Sequence, residues 1–354
     1  MVDVMITAFA SGRVELLGNH TDYNEGYVLA ATLERGVTVR GKPRDDGRVV
    51  LVADDLGETF SSALDELSPS RVQPWVNYVI GVIDQFQRRG TRGPGFEATI
   101  SSDLPMGAGL SSSAALECAA ARFLQDLWHS DFPTLELARI AQAAEHEYAG
   151  VECGLLDQMA ALFGEPGSVV CIDFRSLEVE QLAMAPGVRL VVAPSGAAHV
   201  LSDGVYNERR DTCEAAARAL GVRALRDVDV ATVRQATSLT PLQRRRALHV
   251  VSENERVESA LGLIHRGDIV GLGELLDQSH ESSRLDFENS CEELDRLVEI
   301  ARAIEGCLGA RLIGGGFGGS TVNLVRAEQV ESFSRALVEQ YERRSGVAIE
   351  VFAF

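Results

Sequence analysis

The sequence predicts a mixed α/β protein with room for two domains or one large one, and three observations carry that expectation. Strand-like stretches of alternating or β-branched residues recur along the chain, as in VTVR, RVVLVA, VVCIDF and VRLVVA. Between them lie stretches with apolar residues at helical spacing, such as 74–89 and 112–127. A length of 354 residues, 45% hydrophobic and 24% charged, suffices for a large buried core.

In order along the chain, residues 4–9 read as a first strand that breaks at SGR. The next stretch, GRVELLGNHTDYNEGYVL (12–29), packs Arg13, Glu15, Asn19, His20, Asp22, Asn24 and Glu25 between apolar residues. It reads as a loop presenting hydrogen-bonding groups, suited to a polyhydroxylated ligand, with a solvated hairpin loop as the plain alternative. Residues 35–60 alternate as strands around the turn KPRDDG, and 74–89 follows as an amphipathic helix with Trp75, Val79, Val82, Ile83 and Phe86 near one face. Trp75 and Tyr78 are suited to stack on a nucleobase, although core packing is the commoner role of such aromatics.

A strand at 96–101 feeds LPMGAGLSSSAAL (104–116), a glycine loop that opens a helix over 112–127. Gly107 and Gly109 permit unusual backbone and close approach, and the serines suit capping of the new helix. The helix N-terminus makes the loop an anion cradle for phosphate; an ordinary capped turn fits it about as well. Residues 134–148 are helical, with Glu145 among small apolar neighbours, where it is either a magnesium ligand or a solvated acid. Asp157, in GLLDQ, is an N-cap or a catalytic carboxylate. Strand-like pieces follow from Val169, then a helix over 204–220 carrying Tyr206, Arg209 and Arg210. Residues 223–306 are mostly helical with solvated arginine faces. A second glycine loop, RLIGGGFGGSTVNLV (311–325), runs into a strand, and a helix (328–345) and strand (347–353) close the chain.

Composition excludes several functions. The net charge of −19 repels a nucleic-acid backbone, no apolar run reaches the length of a membrane span, and the start has none of the regions of a signal peptide, so a cytoplasmic protein is expected. The cysteines at 118, 153, 171, 213, 291 and 307 show no CxxC spacing and read as reduced thiols. Lys42 is the only lysine, in a polar turn. The loop GAGLSSS therefore has no Walker lysine and must hold any nucleotide with backbone N–H groups and hydroxyls. Charge neutralisation then falls to a metal ion, an arginine or the helix dipole.

Three segments, GRVELLGNHTDYNEG, PMGAGLSSSAAL and GGGFGGSTVNLV, resemble in order and spacing the three motifs of the GHMP small-molecule kinases, and within them the galactokinase family. WVNYVIGV, ECGLLDQ, IDFRSL and VYNERRDTCE resemble galactokinase segments as well, so the likeness spans nearly the whole chain. It implies two α/β (α+β) domains with the active site in the cleft between them. The N-terminal domain (1–185) would be like the second domain of ribosomal protein S5, and the C-terminal one (186–354) ferredoxin-like. It implies ATP-dependent phosphorylation of a hexose at its anomeric hydroxyl, most simply of galactose, with Mg2+ as cofactor and a monomer or weak homo-oligomer. By the same likeness Arg13 and Asp157 would be catalytic. Asn19, His20, Asp22, Gly154 and Tyr206, together with Arg13 and Asp157, would bind the sugar. Gly107, Ala108, Gly109, Leu110, Ser111, Ser112 and Ser113, with Trp75 and Tyr78, would bind the nucleotide, and Ser113 and Glu145 the magnesium.

The first motif departs from that family, which usually has asparagine where this chain has Glu15 and an acid, associated with the O6 end of the sugar, where it has Asn19. After Val192, Ala-Pro-Ser-Gly replaces Asn-Ser-Asn. Galacturonate, N-acetylgalactosamine and arabinose are therefore alternative acceptors. A catalytically silent sugar sensor is a further alternative, disfavoured because Ser113, Ala114 and Ala115 are present.

Overall fold

The computed structural model describes residues 4–151, 153–197 and 202–354, and the side chains of 202 and 203 are not part of that description. The chain divides into two compact units that interleave in sequence. One holds the chain up to Arg13, Thr32–Leu104 and Leu110–Pro166; the other holds Val14–Ala31, Pro105–Gly109 and Gly167–Phe354. The chain thus first enters the second unit at residue 14, well before 185, and β-strands 168–173 and 179–183 also belong there.

The long strands β1 (Ile6–Leu17) and β2 (Tyr27–Arg44) pair with each other and each contributes to both units. In the first unit β2 continues into a sheet with β3 (Arg48–Ala53), β4 (Glu58–Ala63) and β5 (Gly95–Ser102), in the order β4-β3-β5-β2. β3 pairs antiparallel with β4 and parallel with β5, and β5 runs antiparallel to β2. The expected alternation is visible in β2, where Val37 and Val39 are buried and Arg40 is exposed. Lys42 lies on this strand opposite Glu97, with Nζ 3.4 Å from Oε1. Helices α1 (Val76–Arg88), α2 (Ser112–Leu127), α3 (Thr134–Ala144) and α4 (Leu156–Phe163) pack together. The apolar face of α1 buries Val79, Val82, Ile83 and Phe86 as its spacing requires, while Trp75 stays half-buried just ahead of the helix. Gly81 permits the close approach of α1 to α3, since a Cβ there would stand 2.8 Å from that of Ala144.

In the second unit the Tyr27–Ala31 part of β2 pairs antiparallel with β6 (Ser168–Asp173), and β6 with β7 (Val179–Ala183). A separate antiparallel sheet has the order β11-β8-β10-β9, built from β8 (Val188–Pro194), β9 (Cys307–Leu312), β10 (Ser320–Arg326) and β11 (Phe352–Ala353). The helices are α5 (Ser202–Leu220), α6 (Val230–Gln235), α7 (Pro241–Arg266), α8 (Ile269–Ser282), α9 (Glu292–Ala303) and α10 (Val330–Ser345). One core joins this sheet to α9 and α10 through Val191, Leu297, Val298, Ala310, Phe333 and Leu337; a second joins α5 to α7 through Cys213, Leu225, Val250, Val251 and Phe287.

Several expectations are corrected. The 12–29 stretch is not all loop: β1 runs through Arg13 and Glu15 to Leu17, and only 18–26 is irregular, because the apolar residues Val14, Leu16 and Leu17 are buried and hold the strand. The arginine faces of the helical region are not uniformly solvated. Arg246 is buried and donates to the backbone oxygen of Asp286, where a helix ends and its carbonyls need donors; Arg209, on the earlier helix α5, is also buried and donates to those of Phe287 and Glu288. The closing strand shortens from 347–353 to Phe352–Ala353. All six cysteines are unpaired thiols, as their spacing suggested. No helix among the described residues is long and apolar enough to cross a membrane.

Candidate active site

In the first unit, five of the singled-out polar residues converge. Arg13 sits on β1 with its N–H donating to Leu110 O at 3.1 Å, which ties the strand to the start of the serine run. Its guanidinium grips one carboxylate oxygen of Asp157, with Nε at 2.8 Å and Nη2 at 2.7 Å from Oδ1. Ser111 Oγ donates to the other oxygen, Oδ2, at 2.5 Å. The carboxylate is thus oriented from both sides by a cation and a hydroxyl.

Two cap assignments fail here. Asp157 is the second residue of α4, not its N-cap, and Leu155 occupies that place. Ser111 does stand at the N-cap of α2, but in left-handed backbone (φ +58°), and its side chain makes no capping bond. Both groups are diverted to each other. The N-terminal N–H groups of α2 are therefore left without a serine cap from that position, the arrangement an anion would complete.

One residue into α2, Ser113 Oγ donates to Glu145 Oε1 at 2.9 Å. Glu145 is buried where α3 passes into a π-helical turn, Glu145–Ala149, and its Oε2 receives Gln158 Nε2 at 2.8 Å and Cys153 Sγ at 3.1 Å. Ser113 and Glu145 offer neighbouring oxygen donors of the kind magnesium takes. Among the described residues no group of three or more His, Cys, Asp or Glu could hold a metal. A magnesium ion that takes one or two protein oxygens and completes its shell with phosphates and water fits this donor set.

Behind Glu145 lies a group the sequence reading passed over. Glu117 on α2 is completely buried, and burial, followed by the charge of Glu145, pushes its carboxyl up to about 10. It is a neutral acid at ordinary pH. Its signal was present, as the one charge in the run SSAALECAAA. Tyr78 is half-buried and its phenol is shifted upward by burial and then by Glu145 and Glu117. Trp75 donates its indole N–H to Glu58 Oε2 at 2.7 Å. Gly154 lies in the irregular stretch ahead of α4.

The sugar-motif residues Asn19, His20, Asp22 and Tyr206, and the glycine half of the phosphate loop, belong to the second unit. His20 takes left-handed backbone (φ +61°) and buries its ring against Tyr206 and Phe287. Its Nε2 faces Gly315 O at 3.2 Å, so that nitrogen carries the proton and Nδ1 accepts from Tyr23 Oη at 2.9 Å. Burial holds His20 down at about 3, so it is neutral. Asp22 opens a one-turn helix, Asp22–Asn24, and is half-buried.

Helix α7 supports this loop from below. Glu253 is fully buried and accepts from the N–H groups of Gly18 (2.9 Å) and Asn19 (3.2 Å), while Arg256 Nε pairs with it at 2.6 Å. Although burial opposes its charge, Arg256, His249 and Arg311 together hold its carboxyl well below the usual range. Asn254 Oδ1 accepts from Tyr27 N at 2.9 Å. His249, Glu253 and Asn254 escaped the sequence reading, yet they interrupt the apolar face of α7 at helical spacing beside Val250 and Val257.

The two glycine-rich loops meet within this unit. Ser320 Oγ donates to Ala108 O at 2.9 Å, and a Cβ on Gly109 (φ +73°) would touch Ile313 at 3.7 Å. Gly107 also has positive φ, +71°.

Comparison with known proteins gives the family and the fold. Residues 77–165 match the family model of the GHMP kinases N-terminal domain, 260–343 that of the C-terminal domain, and 3–43 the galactokinase galactose-binding signature. The chain is 42% identical over 349 residues to a galactokinase of Chloroflexus aggregans, covering 97% of this chain and 90% of that protein. It is 39% identical over 351 residues to one of Haemophilus influenzae, covering 97% and 91%. Among solved structures, Lactococcus lactis galactokinase complexed with galactose superposes with a TM-score of 0.91 at 33% identity, covering 99% of this chain and 92% of that one. A mevalonate kinase of Methanococcus jannaschii, at TM-score 0.70 and 16% identity over 99% and 97%, shares the fold alone.

Proposed function

As the chain belongs to the galactokinase family of the GHMP kinases, and is by that membership an ATP-dependent sugar kinase, we propose that it converts α-D-galactose to α-D-galactose 1-phosphate. The observation that carries the chemistry is the Arg13–Asp157–Ser111 cluster, a carboxylate held between a guanidinium and a hydroxyl beside the N-terminus of α2.

Phosphoryl transfer asks the protein mainly to position groups and to stabilise charge. Asp157 accepts the proton of the anomeric hydroxyl as that oxygen bonds to the γ-phosphorus and the bond from phosphorus to the β–γ bridging oxygen breaks, releasing ADP. Arg13 fixes Asp157 in one orientation through two N–H contacts and places positive charge where the transferring group gains negative charge. The N–H groups at the start of α2 cradle phosphate oxygens, and Gly107 and Gly109 add no side chains that would block them. Ser113 and Glu145 would hold Mg2+, which neutralises charge on the phosphates when bound. Trp75 and Tyr78 flank the adenine, and His20, Asp22, Gly154 and Tyr206 bind the sugar. Magnesium and these residue roles rest on the donor chemistry described above and on the family resemblance.

The test is ADP release with galactose, N-acetylgalactosamine, galacturonate and arabinose, with phosphorus NMR of the product. Galactose-dependent turnover giving an anomeric phosphate is expected. Turnover on galacturonate or arabinose in preference to galactose would replace the acceptor, and sugar binding without turnover on any of them would replace the kinase by a sensor.

A further inference from the structure

Asn19 has every polar group occupied from within its own unit. It is 1% exposed. Its N–H goes to Glu253 Oε2 at 3.2 Å and its carbonyl receives His249 Nε2 at 3.1 Å. Its side-chain Nδ2 donates twice, to Glu15 Oε1 at 2.9 Å and to Gly314 O at 2.7 Å, and its Oδ1 receives Asn289 Nδ2 at 2.9 Å. The amide orientation is forced, because a carboxylate and a carbonyl both require the nitrogen. Both N–H bonds are thereby spent, so the side chain has none to give a ligand.

Its charged partner is equally enclosed. Glu15 is 5% exposed and shares Oε1 with Arg311 Nη2 at 3.1 Å, and Arg311, fully buried, donates on to Leu16 O at 2.9 Å. The chain Arg311–Glu15–Asn19–Gly314 ties the end of β1 and the sugar-motif loop to the second glycine loop. His20 and Asn289 add bonds to the next carbonyl, Gly315 O, each at 3.2 Å.

We propose that Asn19 is a positioning residue that does not touch the acceptor. Locked by Glu15, it fixes the 18–26 loop that presents the sugar-binding groups. The enzyme therefore does not read the substituent at C6 of the sugar through position 19. The proposal rests on the sugar-kinase reading above and departs from the expectation that Asn19 binds substrate.

The test compares galactose with 6-deoxygalactose in Asn19→Asp, Glu15→Gln and the double variant. Asn19→Asp keeps the size and the bond from Asn289, but it cannot donate to Gly314 O and sets a second carboxylate against Glu15. The expected result is a KM at least about tenfold higher for both sugars, with the galactose to 6-deoxygalactose ratio of kcat/KM and the KM for ATP within about twofold of the parent. In the double variant the amide introduced at position 15 can donate to the carboxylate introduced at position 19, and at least about fivefold of the loss should return. A change in the sugar ratio of about fivefold or more in Asn19→Asp would show direct reading of C6 and overturn the proposal. So would failure of Glu15→Gln to rescue a normally folded Asn19→Asp. If Asn19→Asp does not fold, the same two-sugar comparison in Glu15→Gln alone decides, with a changed ratio again overturning it. A parent protein that turns over neither sugar refutes the acceptor reading instead. The pair is then judged by melting temperature, where additive shifts for the two substitutions overturn it.

Discussion

Replacing Asp157 by asparagine isolates the proposed proton acceptor from the architecture around it. Arg13 meets Asp157 through Oδ1, at 2.7 and 2.8 Å, and an asparagine Oδ1 can accept both bonds in the same place. Its Nδ2 would fall where Oδ2 now takes the hydroxyl of Ser111, and that hydroxyl can turn from donor to acceptor. The geometry therefore survives while the negative charge and the proton-accepting lone pair disappear. The two side chains are 9% and 24% exposed, so the loss of the ion pair is partly screened and should cost about 1–2 kcal/mol of stability. Loss of the general base should cost about 10²–10⁴ in kcat, equivalent to about 3–5 kcal/mol on the barrier. The assay is steady-state ADP release at saturating galactose and ATP, beside a thermal melt and an ATP titration. A correctly folded Asp157→Asn that keeps kcat within about threefold of the parent would refute the assignment of Asp157 as base and leave it an electrostatic partner of Arg13.

Three further outcomes are expected. Burial holds His20 at about 3 and His249 at about 4, whereas both titrate near 6.5 when unfolded, so the unfolded state binds more protons between those limits. Stability should fall as pH drops below 6.5, by about 1.4 kcal/mol per histidine per pH unit. Urea melts at pH 7.5 and 5.5 check it, and equal midpoints would contradict the buried, neutral assignment. Glu145→Gln should raise the Mg2+ concentration for half-maximal activity by about tenfold or more. A magnesium titration that coincides with the parent's would remove Glu145 from the metal site. Gly316→Ala should destabilise by more than about 2 kcal/mol, because that residue has positive φ and a Cβ there would stand 2.0 Å from Asn289 O; an unchanged melting temperature would contradict it.

Much of the fold was legible because its helices follow simple periodicity. The span of α2 could be read directly, since the serine run marks its start and the apolar run carries it to Leu127. The 12–29 stretch misled because polar residues in sequence look like a loop, whereas Arg13 and Glu15 are strand residues whose charges are met by partners far along the chain. By local rules Ser111 read as a cap and Asp157 as a cap or a catalytic carboxylate, and each proved to be bonded to the other. No local rule can foresee a pairing across 46 positions. The supports of the sugar-motif loop, Glu253, His249 and Asn289, were illegible for the same reason. Only the presence of polar residues on an apolar helical face hinted that Glu117 and Glu253 were buried and partnered.

Lys42, on β2 beside Glu97, is the only side-chain amine in the protein. Acylation of lysine can act on no other side chain, and the phosphate loop and the Arg13–Asp157 pair contain no amine for it to modify. Metabolic acetyl donors therefore find no lysine charge to neutralise among the proposed site residues. The same scarcity makes Lys42 a single side-chain address for amine-directed dyes or cross-linkers.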